Sequence, residues 1–114
     1  MTLFYRELDS GNIEYKLSLE KMSKPKLDRY STQLKYRVVE GRGEAIYLIG
    51  VSDSGKIVGL TDSQMLYSQR IINEMCKNVN CEIKIIMKCK YLNLKFLIFK
   101  VRSIFSIENL PLVL

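Results

Sequence analysis

Two runs near the C-terminal end constrain the fold most. From Cys81 to Lys90 the residues alternate: Ile83, Ile85, Met87 and Cys89 fall on one side, and Glu82, Lys84, Lys88 and Lys90 on the other. That is the period-two signature of a half-buried strand. Leu94 to Arg102 is apolar at nearly every position, with Asn93 in the turn between the runs. A continuous apolar strand has to be covered on both faces, so it belongs at the centre of a sheet. The chain therefore has to supply neighbouring strands and a covering layer.

The remaining segments supply both. Gly11-Asn12 marks a turn, and Ile13, Tyr15, Leu17 and Leu19 then alternate with Glu14, Lys16, Ser18 and Glu20, a strand with its apolar set turned inward. Ser23 is a helix cap and Pro25 fits the first turn. Leu27, Tyr30, Leu34 and Val38 recur every three to four residues, which predicts an amphipathic helix over 25–40 stopped by Gly41. Ala45 to Val51 reads as a buried strand, Asp53-Ser54-Gly55 as a turn, and Lys56 to Leu60 as a short returning strand. Thr61 and Gln64 form a capping box that opens a second amphipathic helix over 62–78. The order predicts one α+β domain over 1–104, a mostly antiparallel sheet of about five strands with two helices on one face, followed by an apolar tail over 105–114.

The stretch Gly50-Val51-Ser52-Asp53-Ser54-Gly55-Lys56 imitates a phosphate-binding loop. Such a loop needs a Ser or Thr after the lysine to hold magnesium, and a helix whose free amides meet the phosphate. Here Ile57 follows Lys56 and the chain continues as a strand until Thr61. The reading is a hairpin turn.

Composition narrows the chemistry. The 114 residues carry a net charge of +6 and no histidine, which removes the commonest general base and metal ligand. Three cysteines, Cys76, Cys81 and Cys89, form neither a disulfide framework nor paired zinc spacing, so no metal and no cofactor is expected. Glu40 and Glu44 flank the glycine loop, and solvated helix-end and strand-start roles suit them better than acid–base catalysis. No apolar run approaches the ~20 residues that span a bilayer. The N-terminus lacks the layout of a signal peptide. A non-enzymatic, cytoplasmic protein with no membrane partner and no small-molecule substrate is expected.

The positive charge falls in two clusters and favours a polyanionic partner. Lys24, Lys26, Arg29, Lys35, Arg37 and Arg42 lie on or just after the first helix; Lys84, Lys88 and Lys90 lie on the alternating strand and are expected on one face together. Such arrays follow a phosphate backbone, and an edge guarded by lysines against aggregation fits the strand equally well. Arg42, between two glycines, lets backbone and guanidinium both approach a ligand. Tyr36 and Tyr67 are candidates for base stacking, while Tyr30 and Tyr47 sit on apolar stripes. The tail residues Leu110, Leu112, Val113 and Leu114 suit a protein contact.

The strings Gly11-Asn12-Ile13-Glu14-Tyr15-Lys16-Leu17, Thr32-Gln33-Leu34-Lys35-Tyr36-Arg37, Glu40-Gly41-Arg42-Gly43-Glu44-Ala45-Ile46-Tyr47-Leu48-Ile49-Gly50-Val51 and Val58-Gly59-Leu60 share one further property. Together, across about residues 10–102, they resemble the N-terminal domain of the elongation-factor-like GTPases of the GTP-binding protein 1 and 2 type. That family places its GTPase domain after this region, and the sequence here has no magnesium-holding phosphate loop, so GTP hydrolysis does not carry over. The resemblance implies a translation setting. As a stand-alone form the chain is similar to the microsporidian ribosome dormancy factors, which implies a partner in the ribosome, its RNA and its proteins. The expected function is a ribosome-binding dormancy factor that occupies a tRNA site, the exit site in its most specific form, and blocks translation sterically. The alternative is a tRNA- or mRNA-binding adaptor in translation quality control that acts with a GTPase in trans.

Overall fold

The computed structural model describes residues 2–104. The order is β1 (Ile13–Lys16), α1 (Lys24–Glu40), β2 (Glu44–Ile49), α2 (Asp62–Asn78), β3 (Cys81–Tyr91) and β4 (Leu94–Ser103). The strands form one sheet in the order β1-β2-β4-β3. β4 is an interior strand, antiparallel to both β2 and β3, as its apolar run requires. β1 pairs with β2 in parallel, because α1 carries the chain back between them. The apolar tail expected over 105–114, with Leu110, Leu112, Val113 and Leu114, lies outside the described residues.

Both helices begin where side chains supply an acceptor. Ser23 accepts from the Lys26 amide, and Thr61 with Gln64 forms the complete capping box. These groups satisfy amides that no helical carbonyl can reach. Both helices cover one face of the sheet. Leu34, Val38, Ile72 and Met75 meet Ala45, Tyr47, Ile49, Leu97, Phe99 and Val101 there. On the other face a smaller cluster of Tyr15, Leu48, Val51, Ile57 and Phe96 lies under Phe4 of the N-terminal segment.

The sheet is four-stranded and mixed, where five mostly antiparallel strands were expected. The expected returning strand reduces to two isolated bridges, Ile57 with Val51 and Lys56 with Thr2. Gly50 and Gly59 adopt φ +95° and +92°, and the Gly50 carbonyl accepts both the Val58 and Gly59 amides. The chain therefore turns rather than extends, and the Leu60 amide is handed to the Lys95 carbonyl instead. No helix follows Lys56 until Asp62. Gly55 is also occupied, since its carbonyl accepts the Leu3 and Phe4 amides. The phosphate-loop imitation is a turn that clasps the N-terminal segment.

The expected alternation of β1 holds only in part. Tyr15 is buried beneath Phe4, Ile13 is 42 % exposed, and Glu14 is buried on the helix side. A buried cation, Arg37, makes this possible. No helix among the described residues is long and apolar enough to cross a membrane.

Candidate functional site

The first basic cluster divides once α1 is folded. Leu27, Tyr30, Leu34 and Val38 pack inward, and Lys24, Lys26, Arg29 and Lys35 remain exposed. At about 100° per residue, Lys24 and Lys35 share the flank nearer α2, Arg29 points outward, and Lys26 lies on the flank nearer β1. Lys24 pairs with Asp28 at 3.3 Å, one helical turn on. An exposed pair of this kind contributes little and leaves the lysine available. The Lys26 ammonium stands 5.5 Å from the Tyr30 ring centre, and Lys16 Nζ stands 4.4 Å from the same ring. Lys16 was missed in the sequence because it reads as the solvent side of a short strand. Two ammonium groups at one aromatic ring make a compact positive site.

Arg37 does not belong to this surface. Its side chain is 2 % exposed, and its two terminal nitrogens are engaged by the N-terminal segment and β1 while Nε has no hydrogen-bond partner. Nη1 donates to the Ser10 and Gly11 carbonyls at 3.0 and 2.9 Å, and Nη2 donates to the Leu8 carbonyl at 2.9 Å and to Glu14 Oε2 at 3.2 Å. The expectation that Arg37 contacts RNA is therefore corrected, because no phosphate can reach a guanidinium enclosed by the protein's own oxygens. The signal was present in the sequence. Arg37 lies three residues after Leu34, on the apolar stripe rather than opposite it.

The strand lysines also separate. A β-bulge between Ile83 and Ile85 inserts one residue into β3 opposite β4. Before it, Ile83 pairs with Val101 on the helix side; beyond it, Ile86 pairs with Phe99 and Lys88 with Leu97, also on the helix side. Ile85, Met87 and Cys89 pair with Lys100, Ile98 and Phe96 on the opposite face. Lys84, the inserted residue, reaches across β4 to Glu44 at 3.6 Å on that opposite face. Lys84 thus faces away from Lys88 and Lys90, against the expectation that all three share a face. Alternation cannot reveal a bulge, which shifts the pattern by one residue.

Arg42 sits at φ +54° in the turn between α1 and β2, exposed between Gly41 and Gly43. Gly41 is required by close approach. A Cβ there would lie 1.8 Å from the Glu44 carbonyl oxygen and 2.6 Å from Asn12 Cβ. The Gly43 carbonyl accepts the Ser103 amide at 2.8 Å, which ties the loop to the end of β4. Arg42 is thus displayed from a fixed platform.

The carboxylates and thiols hold the fold. Glu40 accepts from Tyr36 Oη at 3.1 Å. Glu44 lies between Lys100 at 3.0 Å and Lys84 at 3.6 Å, and the Lys100 hydrogen bond above all lowers its pKa. All three cysteines are free thiols. Burial pushes the Cys76 thiol up to about 12 and raises those of Cys81 and Cys89, so the reactive thiolate is disfavoured. Among the described residues no group of three or more His, Cys, Asp or Glu side chains could hold a metal ion. A cavity of about 590 Å³ lies between the N-terminal segment and β1, lined by Tyr5, Glu7, Leu8, Ile13 and Tyr15. The Glu7 carboxylate there accepts the Tyr15 amide, and burial raises its pKa. Of the candidate stacking tyrosines, Tyr36 and Tyr67 are each 41 % exposed, and Tyr47 is fully buried.

The chain is 42 % identical over 80 residues to GTP-binding protein 2 of mouse and to that of human. The match covers 70 % of this chain and 13 % of either relative. An uncharacterized protein, R625, of the Acanthamoeba polyphaga mimivirus is 32 % identical over 78 residues, covering 68 % of this chain and 42 % of that protein. The chain is thus related to a part of GTP-binding protein 2 and spans about one eighth (13 %) of its length. No protein-family model matches the sequence, and no solved structure matches the fold.

Proposed function

We propose that this chain is a non-enzymatic ribosome-binding protein that occupies a tRNA site, the exit site in its most specific form, and keeps the ribosome idle by excluding tRNA. It works in the cytoplasm, where ribosomes are. One observation carries the reading. Of the six cations assigned to RNA on α1 and its loop, only Arg37 is buried, and Lys26, Arg29, Lys35 and Arg42 are exposed with no carboxylate partner among the described residues. Unpaired surface cations on a protein of net charge +6 suit a phosphate backbone. The contact is made by α1 and its following loop: Lys26 and Lys16 over Tyr30, Arg29 and Lys35 along the helix, and Arg42 on its glycine platform. Blocking is steric and needs no reacting group.

Co-sedimentation with ribosomes on sucrose gradients tests this. The protein travels with vacant ribosomes at low salt and is released as salt rises, and the triple variant Arg29→Glu, Lys35→Glu, Arg42→Glu stays at the top. Binding undiminished by high salt, or absent at low salt, overturns the reading.

The relationship to GTP-binding protein 2 favours a second reading. There the chain is an adaptor that binds tRNA or mRNA and acts with a GTPase in trans. Saturable binding of free tRNA without ribosomes, lost in the same triple variant, selects it.

A further inference from the structure

β3 is the feature that the RNA reading leaves unexplained. It is an edge strand of 11 residues, and no described strand pairs with its outer side. Its middle is apolar on both faces, with Ile85, Ile86 and Met87 exposed by 44 %, 42 % and 47 %. An edge of this kind is a template for another chain unless something occupies it. Beyond the apolar centre, Lys88 and Lys90 project on the helix side with no carboxylate partner among the described residues. Lys84 is already matched to Glu44.

We propose that the outer edge of β3 receives an extended acidic segment of a partner protein as a fifth strand. Side chains directly opposite one another in an antiparallel pair share a face, and opposite charges there stabilise the pair. The register of β3 therefore specifies the guest. Opposite Ile85, Met87 and Cys89 it carries apolar side chains. Opposite Ile86 it carries an apolar one, and opposite Lys88 and Lys90 it carries carboxylates. Main-chain hydrogen bonds supply affinity and this pattern supplies selectivity. A second copy of the chain fits less well. It brings no carboxylate to the helix side, since Glu82, the one carboxylate of β3, lies beside Arg102 on the opposite face, and two β3 strands paired about Lys88 or Cys89 set Lys88 against Lys88 or against Lys90, like charges in contact.

The test is an amide-resolved NMR titration of the full chain with the capped peptide Glu-Val-Glu-Val-Leu-Val, and with its counterpart bearing Lys in place of Glu. The acidic peptide is expected to shift amides of β3 saturably and to bind at least about tenfold tighter than the basic one. In the variant Lys88→Glu, Lys90→Glu, whose exposed positions leave the core untouched, the preference inverts. Met87→Glu weakens the acidic peptide. Equal binding of both peptides, shifts confined to α1, or no shift at millimolar peptide overturns the proposal. So does a dimer in sedimentation velocity that protects the β3 amides. Loss of ribosome co-sedimentation by Lys88→Glu, Lys90→Glu without any peptide binding also overturns it, because those lysines are then RNA contacts. The α1 triple variant keeps peptide binding, so failure of the ribosome reading and failure of this one are separable.

Discussion

Arg37 occupies a position that helical periodicity gives to an apolar side chain. It gathers three carbonyls of the N-terminal segment and the Glu14 carboxylate in a site with little access to water. Removing one partner of a buried ion pair leaves the other charge uncompensated. Arg37→Ala is expected to lower stability by about 3–5 kcal/mol in urea denaturation. Arg37→Lys is expected to rescue only part, since an ammonium cannot span four acceptors with the same planar fork. The folded fraction of either variant should bind ribosomes as the wild type does. Glu7 makes a second prediction at this scale. Burial raises its pKa above the ordinary 4.5, so the folded state holds this proton more tightly than the unfolded chain. The contribution of Glu7 to stability is therefore present below 4.5 and is lost as pH rises through its raised folded value. Glu7→Gln keeps an acceptor for the Tyr15 amide and removes this dependence. Melting temperatures of the two proteins, followed upward from pH 4, should diverge in favour of the variant. If they stay parallel, the raised pKa is wrong.

At the scale of elements, ends and irregularities decide more than helix or strand interiors. The Thr61 capping box satisfies amides at the start of α2. Thr61→Ala should cost about 1 kcal/mol. Gly41→Ala should cost more, about 2–4 kcal/mol, because its Cβ would meet the Glu44 carbonyl oxygen, which is backbone and cannot step aside. Gly43→Ala meets nothing within 4 Å and should cost only the ~1–2 kcal/mol of a left-handed alanine. Chemical denaturation of the three variants checks that order, and a Gly43→Ala cost exceeding that of Gly41→Ala would refute the close-approach argument. The helix boundaries were legible because caps are local chemistry. The facing of β1 and the bulge in β3 were not. Both depend on what lies across the sheet: Arg37 for Glu14, and the β4 register for Lys84.

For the whole molecule, the question is where the charge ends up. The sequence places six of the RNA-assigned cations around one helix and its loop; the fold withdraws Arg37 and leaves the others on α1 exposed. If three of these meet phosphate, the triple variant Arg29→Glu, Lys35→Glu, Arg42→Glu should flatten the slope of log affinity against log salt by about 2–3. Fluorescence titrations at several salt concentrations measure that slope, and an unchanged slope removes these residues from the contact.

The sequence by itself determined the two capped helices, the β3–β4 hairpin, the interior place of β4 and the failure of Gly50–Lys56 as a phosphate loop. Each follows from signals within a dozen residues: capping pairs, apolar period and turn chemistry. Only the tertiary structure decided that the sheet has four strands, that Glu14 turns inward to Arg37, and that Lys84 parts from Lys88 and Lys90. Those outcomes turn on contacts between residues some 15 to 40 apart, where one buried charge pair or one inserted residue reverses which face a side chain occupies.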